Sequence, residues 1–210
     1  MRMMRLVPTD EASLMVNDAV HFLRRWCADP RHIGAIAPSG HALAELITRR
    51  IHARSGRIAE FGAGTGVFTR ALLRRGVREG HLVLVERDEA FAARLRERFP
   101  RAHVLAMDAE HFCAWARAER FAAGAIVSGL PLRNLDFDSH RRILSSAFAS
   151  LCGDGALYQF TYGLACPVPA MLLQHLQLEA ARIGYVLRNL PPATVYRIQR
   201  QRSAGAAAFA

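Results

Sequence analysis

The residues best placed for chemistry form the run Glu60-Phe61-Gly62-Ala63-Gly64-Thr65-Gly66. Its glycines permit a tight turn that brings backbone close to a ligand. Ile58 and Ala59 lead in as a short strand, and Val67 to Leu73 continue as a helix. A dinucleotide fingerprint wants its third glycine where Val67 stands, and the acid ahead of the turn is no part of that pattern. NAD is therefore disfavoured. A Walker loop needs Lys followed by Ser or Thr, and the chain contains no Lys, so nucleoside triphosphate binding by that route is excluded. An acid set before a Gly-x-Gly-x-Gly turn points instead to S-adenosylmethionine, with S-adenosylhomocysteine as the product.

Two further carboxylates follow at regular intervals. Leu82-Val83-Leu84-Val85 is an apolar run ending in Glu86, about 20 residues past the glycines, where doubly wound nucleoside sites place an acid on the ribose hydroxyls. A third strand, Ala102 to Met107, ends in Asp108. Three successive strands thus each deliver an acid at or near the carboxyl end, the edge along which open α/β sheets bind ligands. The simpler alternative is that Glu86 and Asp108 cap the helices that follow. In the cofactor reading Glu60 lies beside the methionine amino group or the turn's backbone, Glu86 on the ribose and Asp108 on the adenine amino group, with Gly62, Ala63, Gly64, Arg87, Ala109 and Ser128 completing the set.

The elements that must position these residues read as a single α/β domain with a mostly parallel sheet of seven strands and helices on both faces. Residues 11 to 27 form an amphipathic helix with Val16, Ala19, Val20, Leu23 and Cys27 on one stripe. It either packs on the core or lies in a lipid interface with Phe22 and Trp26 among the acyl chains. Asp29-Pro30 ends it, and a loop leads to a second helix over about residues 40 to 54, with Ser39 as its cap. His111 to Arg117 reads as helix, and Ala125 to Ser128 as a fourth strand opening into Gly129-Leu130-Pro131-Leu132. Ser139 to Leu151 is again helical, Gly153-Asp154-Gly155 a turn, Ala156 to Tyr162 a fifth strand, Pro167 to Arg182 partly helical and Val195 to Gln201 a last strand. The boundaries are an extension over 1 to 30, a methyltransferase domain over 31 to 202 and a frayed tail over 203 to 210.

All 28 basic residues are Arg, and the net charge of +10 with a pI near 10.8 attracts polyanions: RNA, DNA or an anionic membrane. Schiff-base chemistry through Lys is excluded. Cys27, Cys113, Cys152 and Cys166 are widely separated, with no Cys-x-x-Cys pair, so neither a disulfide scaffold nor a metal site is expected. A reduced, cytoplasmic setting is the expectation. No run of about 20 apolar residues suggests a membrane span, so any membrane contact is peripheral.

Five stretches carry a family resemblance: Gly34-Ala35-Ile36-Ala37-Pro38-Ser39, Glu60 to Gly66, Ser128-Gly129-Leu130-Pro131-Leu132, Gln159-Phe160-Thr161-Tyr162-Gly163 and Asn189-Leu190-Pro191-Pro192-Ala193. In order along nearly the whole chain, they resemble the bacterial phospholipid N-methyltransferases, the membrane-associating type similar to ribosomal RNA adenine dimethylases. The glycine motif is widely shared; the third, fourth and fifth stretches are the particular ones. Ala63 stands where relatives often carry Pro, Gly40 where a second Ser is common, and Arg133 where an apolar residue is usual. The resemblance implies methyl transfer to the amine of phosphatidylethanolamine, with further rounds toward phosphatidylcholine in some members, at the inner face of the cytoplasmic membrane.

Within that resemblance, Ser128 and the carbonyls of its turn hold the amine, and Tyr162 orients it or lays its ring face against the sulfonium. Gly129, Leu130 and Pro131 shape the substrate side, and His32 and Arg133 meet the lipid phosphate. The plainer readings are a Ser128 that only caps a helix and a Tyr162 with a wet hydroxyl. Three alternatives stand beside this one. An RNA adenine-N6 dimethylase is the one reading that brings a nucleic-acid partner, and it would want Asn and an aromatic where Ser128 and Leu132 stand. A non-catalytic membrane protein would not need the intact acids and glycines. A small-molecule methyltransferase would not need the amphipathic helix or the charge.

Overall fold

The computed structural model describes residues 38–187 and 192–201. The amphipathic helix over 11 to 27, His32, most of the Gly34 stretch, the first three residues of the Asn189 stretch and the C-terminal tail lie outside the described residues.

A sheet of seven strands forms the body, in the order β3-β2-β1-β4-β5-β7-β6. The strands are β1 (Arg57–Phe61), β2 (Leu82–Val85), β3 (His103–Leu105), β4 (Ala123–Ser128), β5 (Leu151–Tyr162), β6 (Leu178–Val186) and β7 (Ala193–Arg200). Strands β1 to β5 pair in parallel, whereas β7 runs antiparallel to both β5 and β6. This is the class I methyltransferase arrangement of a Rossmann-like sheet, as expected. Parallel strands need crossovers, and helices α1 (Pro38–Thr48), α2 (Val67–Arg74), α3 (Glu89–Arg98), α4 (Phe112–Ala118), α5 (Phe137–Ser150) and α6 (Ala170–His175) supply the other layers.

The sequence explains why both faces are covered. Every residue of β2 is buried, and β1 is buried from Ile58 onward, the near-continuous apolar run of a strand between two helical layers. Alternation sends Ala59 and Phe61 into one cluster with Phe112, Ala116, Leu144 and Ala147 of α4 and α5. Ile58 and Glu60 therefore point to the opposite face, where Ala71 and Leu72 of α2 are buried.

Three local expectations are corrected. The stretch expected to be partly helical through Arg182 keeps only the short α6; Leu178–Val186 is β6, because hydrogen bonding to β7 fixes a segment whose mixed polarity suits an edge strand. Gly153-Asp154-Gly155 is not a turn between elements but part of a bulge inside β5, where the pairing jumps from Ala123↔Leu151 to Ala125↔Ala156. Helix α1 starts at Pro38, so Ser39 sits in its first turn rather than at the cap, and the helix ends at Thr48 rather than 54.

Candidate cofactor and substrate site

Strand order reverses between β1 and β4, so the crevice of an open α/β sheet belongs at their carboxyl ends, where Phe61 pairs with Ser128. The turns that leave these two strands touch. Gly129 N–H donates to the Phe61 carbonyl at 2.8 Å, and a Cβ on Gly129 would lie 2.8 Å from the Gly62 carbonyl oxygen. A Cβ on Gly62 would lie 2.9 Å from Leu130 Cδ2, and Gly62 has a φ of 69°, where side chains are rarely tolerated. Gly64 and Gly66 also take positive φ. The alternating glycines thus fold a backbone cradle that the Ser-Gly-Leu-Pro turn closes on one side.

Glu86 holds that cradle. Its Oε2 accepts from Gly64 N–H at 2.9 Å and its Oε1 from Asp88 N–H at 3.0 Å, leaving the half-buried carboxylate at the mouth of the turn. The capping alternative does not apply to it, since Asp88 caps α3 by accepting from Phe91 N–H. Nor does Asp108 cap through its side chain. It lies three residues past β3, exposed, with Arg87 Nη1 3.9 Å from Oδ1. Ala109 beside it is buried, and its carbonyl accepts from Ser146 Oγ at 2.9 Å. Ala63 is buried too, its N–H directed at the Val85 carbonyl at 3.3 Å.

Glu60 is set deeper than the sequence suggests. It is 1% exposed, and Thr69 Oγ1 of α2 donates to its Oε2 at 2.6 Å, while Oε1 is buried without a hydrogen-bond partner among the described residues. Burial pushes its carboxyl up to about 8; the Thr69 hydrogen bond and the Arg70 charge oppose the rise, and the nearby Glu86 adds to it. A buried oxygen with no donor costs free energy until one arrives, so this position suits a cationic or N–H-bearing group. Orphaned acceptor, glycine cradle and mouth acids together fit a ligand with a positively charged amino-acid end and a nucleoside end.

The β4 turn is organised from within the core. Ser128 is 1% exposed and its Oγ accepts from Leu130 N–H at 3.3 Å, a local side-chain turn rather than a helix cap. Gln159, its register partner on β5, is fully buried; Nε2 donates to the Leu130 carbonyl at 2.9 Å and to the Phe160 carbonyl at 2.7 Å, and Oε1 has no partner among the described residues. Gly129 and Leu130 are half-buried, Pro131 is exposed and Leu132 lies in the core. Arg133 reaches across to donate from Nη1 to the Tyr162 carbonyl at 3.4 Å, tying this turn to the end of β5. The half-buried Tyr162 ring meets Phe160 edge-on at 5.5 Å, and Phe160 in turn meets Phe68 of α2 at 5.9 Å.

Reading the residues alone misses Thr69, Phe68 and Gln159. A hydroxyl in the first turn of the helix after the glycines is the available signal for Thr69, since that turn folds back over β1. Phe68 offered only an aromatic near the glycines, and Gln159 only a polar residue in an apolar strand. Among the described residues no group of three or more His, Cys, Asp or Glu side chains is arranged to hold a metal ion.

No family model matches the chain. An ornithine lipid N-methyltransferase of Singulisphaera acidiphila is 28% identical over 188 residues, covering 86% of this chain and 95% of that protein. Among solved structures, the Burkholderia thailandensis 1,6-didemethyltoxoflavin-N1-methyltransferase with bound 1,6-didemethyltoxoflavin and S-adenosylhomocysteine superposes with a TM-score of 0.61 at 16% identity, over 96% of this chain and 94% of that one. A TehB-like S-adenosylmethionine-dependent methyltransferase of Corynebacterium glutamicum gives 0.59 at 16% identity, over 90% and 100%. The fold of this chain is theirs.

Proposed function

We propose that the chain is an S-adenosylmethionine-dependent methyltransferase whose acceptor is the amine of a membrane lipid, phosphatidylethanolamine first, with ornithine lipid as the competing headgroup. One observation carries the lipid part: the match to a lipid N-methyltransferase runs over 95% of that protein's length. The crevice at β1 and β4 carries the methyl-transfer part.

The bound cofactor supplies a methyl group activated by a sulfonium, and its demethylated product is S-adenosylhomocysteine. The protein's work is alignment and exclusion of water. Glu60 and the glycine cradle receive the amino-acid end, Glu86 the ribose, and Asp108 with Arg87 the rim near the base. Ser128 acts through the shape of its turn, because its Oγ is engaged with Leu130 N–H and buried. The turn's carbonyls then accept the amine N–H groups, while Gln159 braces the Leu130 carbonyl from below. The ammonium sheds its proton to water at the mouth before its lone pair faces the methyl carbon. Tyr162 closes the far wall, and Arg133 beside it meets the lipid's anionic group. An RNA base finds no platform at Leu132, which is buried in the core.

Labelled S-adenosylmethionine offered with phosphatidylethanolamine vesicles, ornithine lipid vesicles and ribosomal RNA in parallel tests this. Label is expected in lipid. Label in RNA alone overturns the acceptor, and no uptake of S-adenosylhomocysteine in a calorimetric titration overturns the whole reading.

A further inference from the structure

Resting on that reading, the carboxyl edge of the sheet holds a second feature that the transfer itself does not use. Tyr162, Ala193 and Val186 form one row across β5, β7 and β6. Leu164 and Leu187 lie just beyond this row and are 69% and 71% exposed; Tyr185, one residue before it, is 56% exposed. A surface leucine alone is unremarkable, but several large apolar side chains exposed along one edge of a sheet mark a contact surface. Phe137, also exposed, is flanked by Asp136 and Asp138 at the start of α5, where the His140 ring nitrogens lie 3.1 and 3.2 Å from the Asp136 and Pro167 carbonyl oxygens.

The C-terminal part of the sequence is rich in arginine. From Gly155 to the end of the chain the sequence carries one carboxylate side chain, Glu179, against five arginines. Glu179 pairs with Gln199 at the other end of β6, seven residues from Val186 and so about 23 Å away. Arg182 is exposed on β6, and Arg133 stands over Tyr162. Exposed apolar side chains with arginines on the neighbouring turn and strand complement acyl chains beneath anionic headgroups.

We propose that Leu164, Tyr185 and Leu187 form the surface through which this protein lies on an anionic lipid bilayer, with the crevice mouth turned toward the headgroups. The lipid amine then enters the site from the plane of the membrane, past Arg133, and the acyl chains stay in the bilayer.

The test uses the full chain carrying Leu164→Asp with Leu187→Asp. Partition onto vesicles of phosphatidylcholine with phosphatidylglycerol is expected to fall at least tenfold, with S-adenosylhomocysteine affinity unchanged. Methylation of vesicle-borne phosphatidylethanolamine should fall similarly, while turnover of a short-chain, monomeric phosphatidylethanolamine persists. A Leu187→Trp variant should be quenched by brominated acyl chains beyond the wild-type background, and a Glu97→Trp variant on α3 should not. Wild-type-like partition of the double variant, or equal quenching in both tryptophan variants, overturns the proposal. So does a change in oligomeric state without a change in vesicle binding, which would assign the surface to a second copy. If no lipid is methylated although vesicle binding still requires this surface, the acceptor assignment falls and the docking surface stands.

Discussion

The two halves of the sheet's carboxyl edge are built from opposite materials. At the ends of β1, β2 and β3 the edge offers Glu60, Glu86, Asp88 and Asp108, with glycines that bring backbone N–H groups inward. At the ends of β5 and β6 it offers Leu164, Tyr185 and Leu187, with Arg133 beside Tyr162. The first half suits a small, polar, positively charged ligand that needs hydrogen bonds on every side. The second suits a large amphipathic one held by area and by its anionic group. The β4 turn lies between them, in contact with Gly62 on one flank and linked through Arg133 to Tyr162 on the other. One edge can therefore serve two ligands whose chemistries would interfere if mixed.

The strongest way to break this division is through Glu86. Glu86→Ala removes the acceptor for two backbone N–H groups and one mouth acid, so affinity for S-adenosylhomocysteine should fall roughly a hundredfold, about 3 kcal/mol, with vesicle partition unaffected. Unchanged affinity by calorimetry would take the ribose role from this residue. Next in size is Gly129→Ala, whose Cβ would meet the Gly62 carbonyl at 2.8 Å. Forcing the two turns apart should cost about 2 kcal/mol of stability in chemical denaturation and weaken both ligands together, unlike a change confined to either half.

Glu60 sharpens the comparison through pH. Its folded carboxyl is raised to about 8 by burial, whereas an unfolded chain ionises it near the ordinary 4.5. The stability it contributes is complete below the unfolded value and is lost as pH climbs toward the folded one. Across that window this group should lower the folded-to-unfolded ratio by roughly tenfold per pH unit, and Glu60→Gln should remove that slope. Denaturation curves at pH 5, 6, 7 and 8 measure it; parallel profiles for the two proteins would contradict the buried, protonated assignment. The smallest effect belongs to Arg133→Ala. It should raise KM for a monomeric lipid about fivefold, leaving kcat and S-adenosylhomocysteine affinity alone. A fall in cofactor affinity instead would move Arg133 to the other half.

Legibility also differs between the halves. The glycine turn, β2 and the start of α2 were plain from local pattern, because a tight turn needs glycine and a doubly covered strand needs an unbroken apolar run. Residues 151 to 186 were harder. Leu178–Val186 carries Glu179 and Arg182 among its apolar residues, and such a mixture on an edge strand has no clean period of two. The bulge of β5 leaves no signature beyond two glycines, which read equally well as a turn. At the site, the identity of the acids and of the Ser128 turn was readable, but the depth of Glu60 and the burial of Ser128 were not, because both depend on what packs above them.

What this amino-acid sequence determined by itself was the chemistry within a few residues of each glycine: a strand, a sharp turn, a helix and an acid at fixed distance, all consequences of local backbone preference. Only the tertiary structure decided which of those groups meet. Thr69 finds Glu60 because α2 folds back over β1, Gln159 finds Leu130 because β5 pairs with β4, and Tyr162 shares a row with Ala193 and Val186 because β7 pairs with both β5 and β6. Those encounters are set by sheet order and layer packing, which no local window contains.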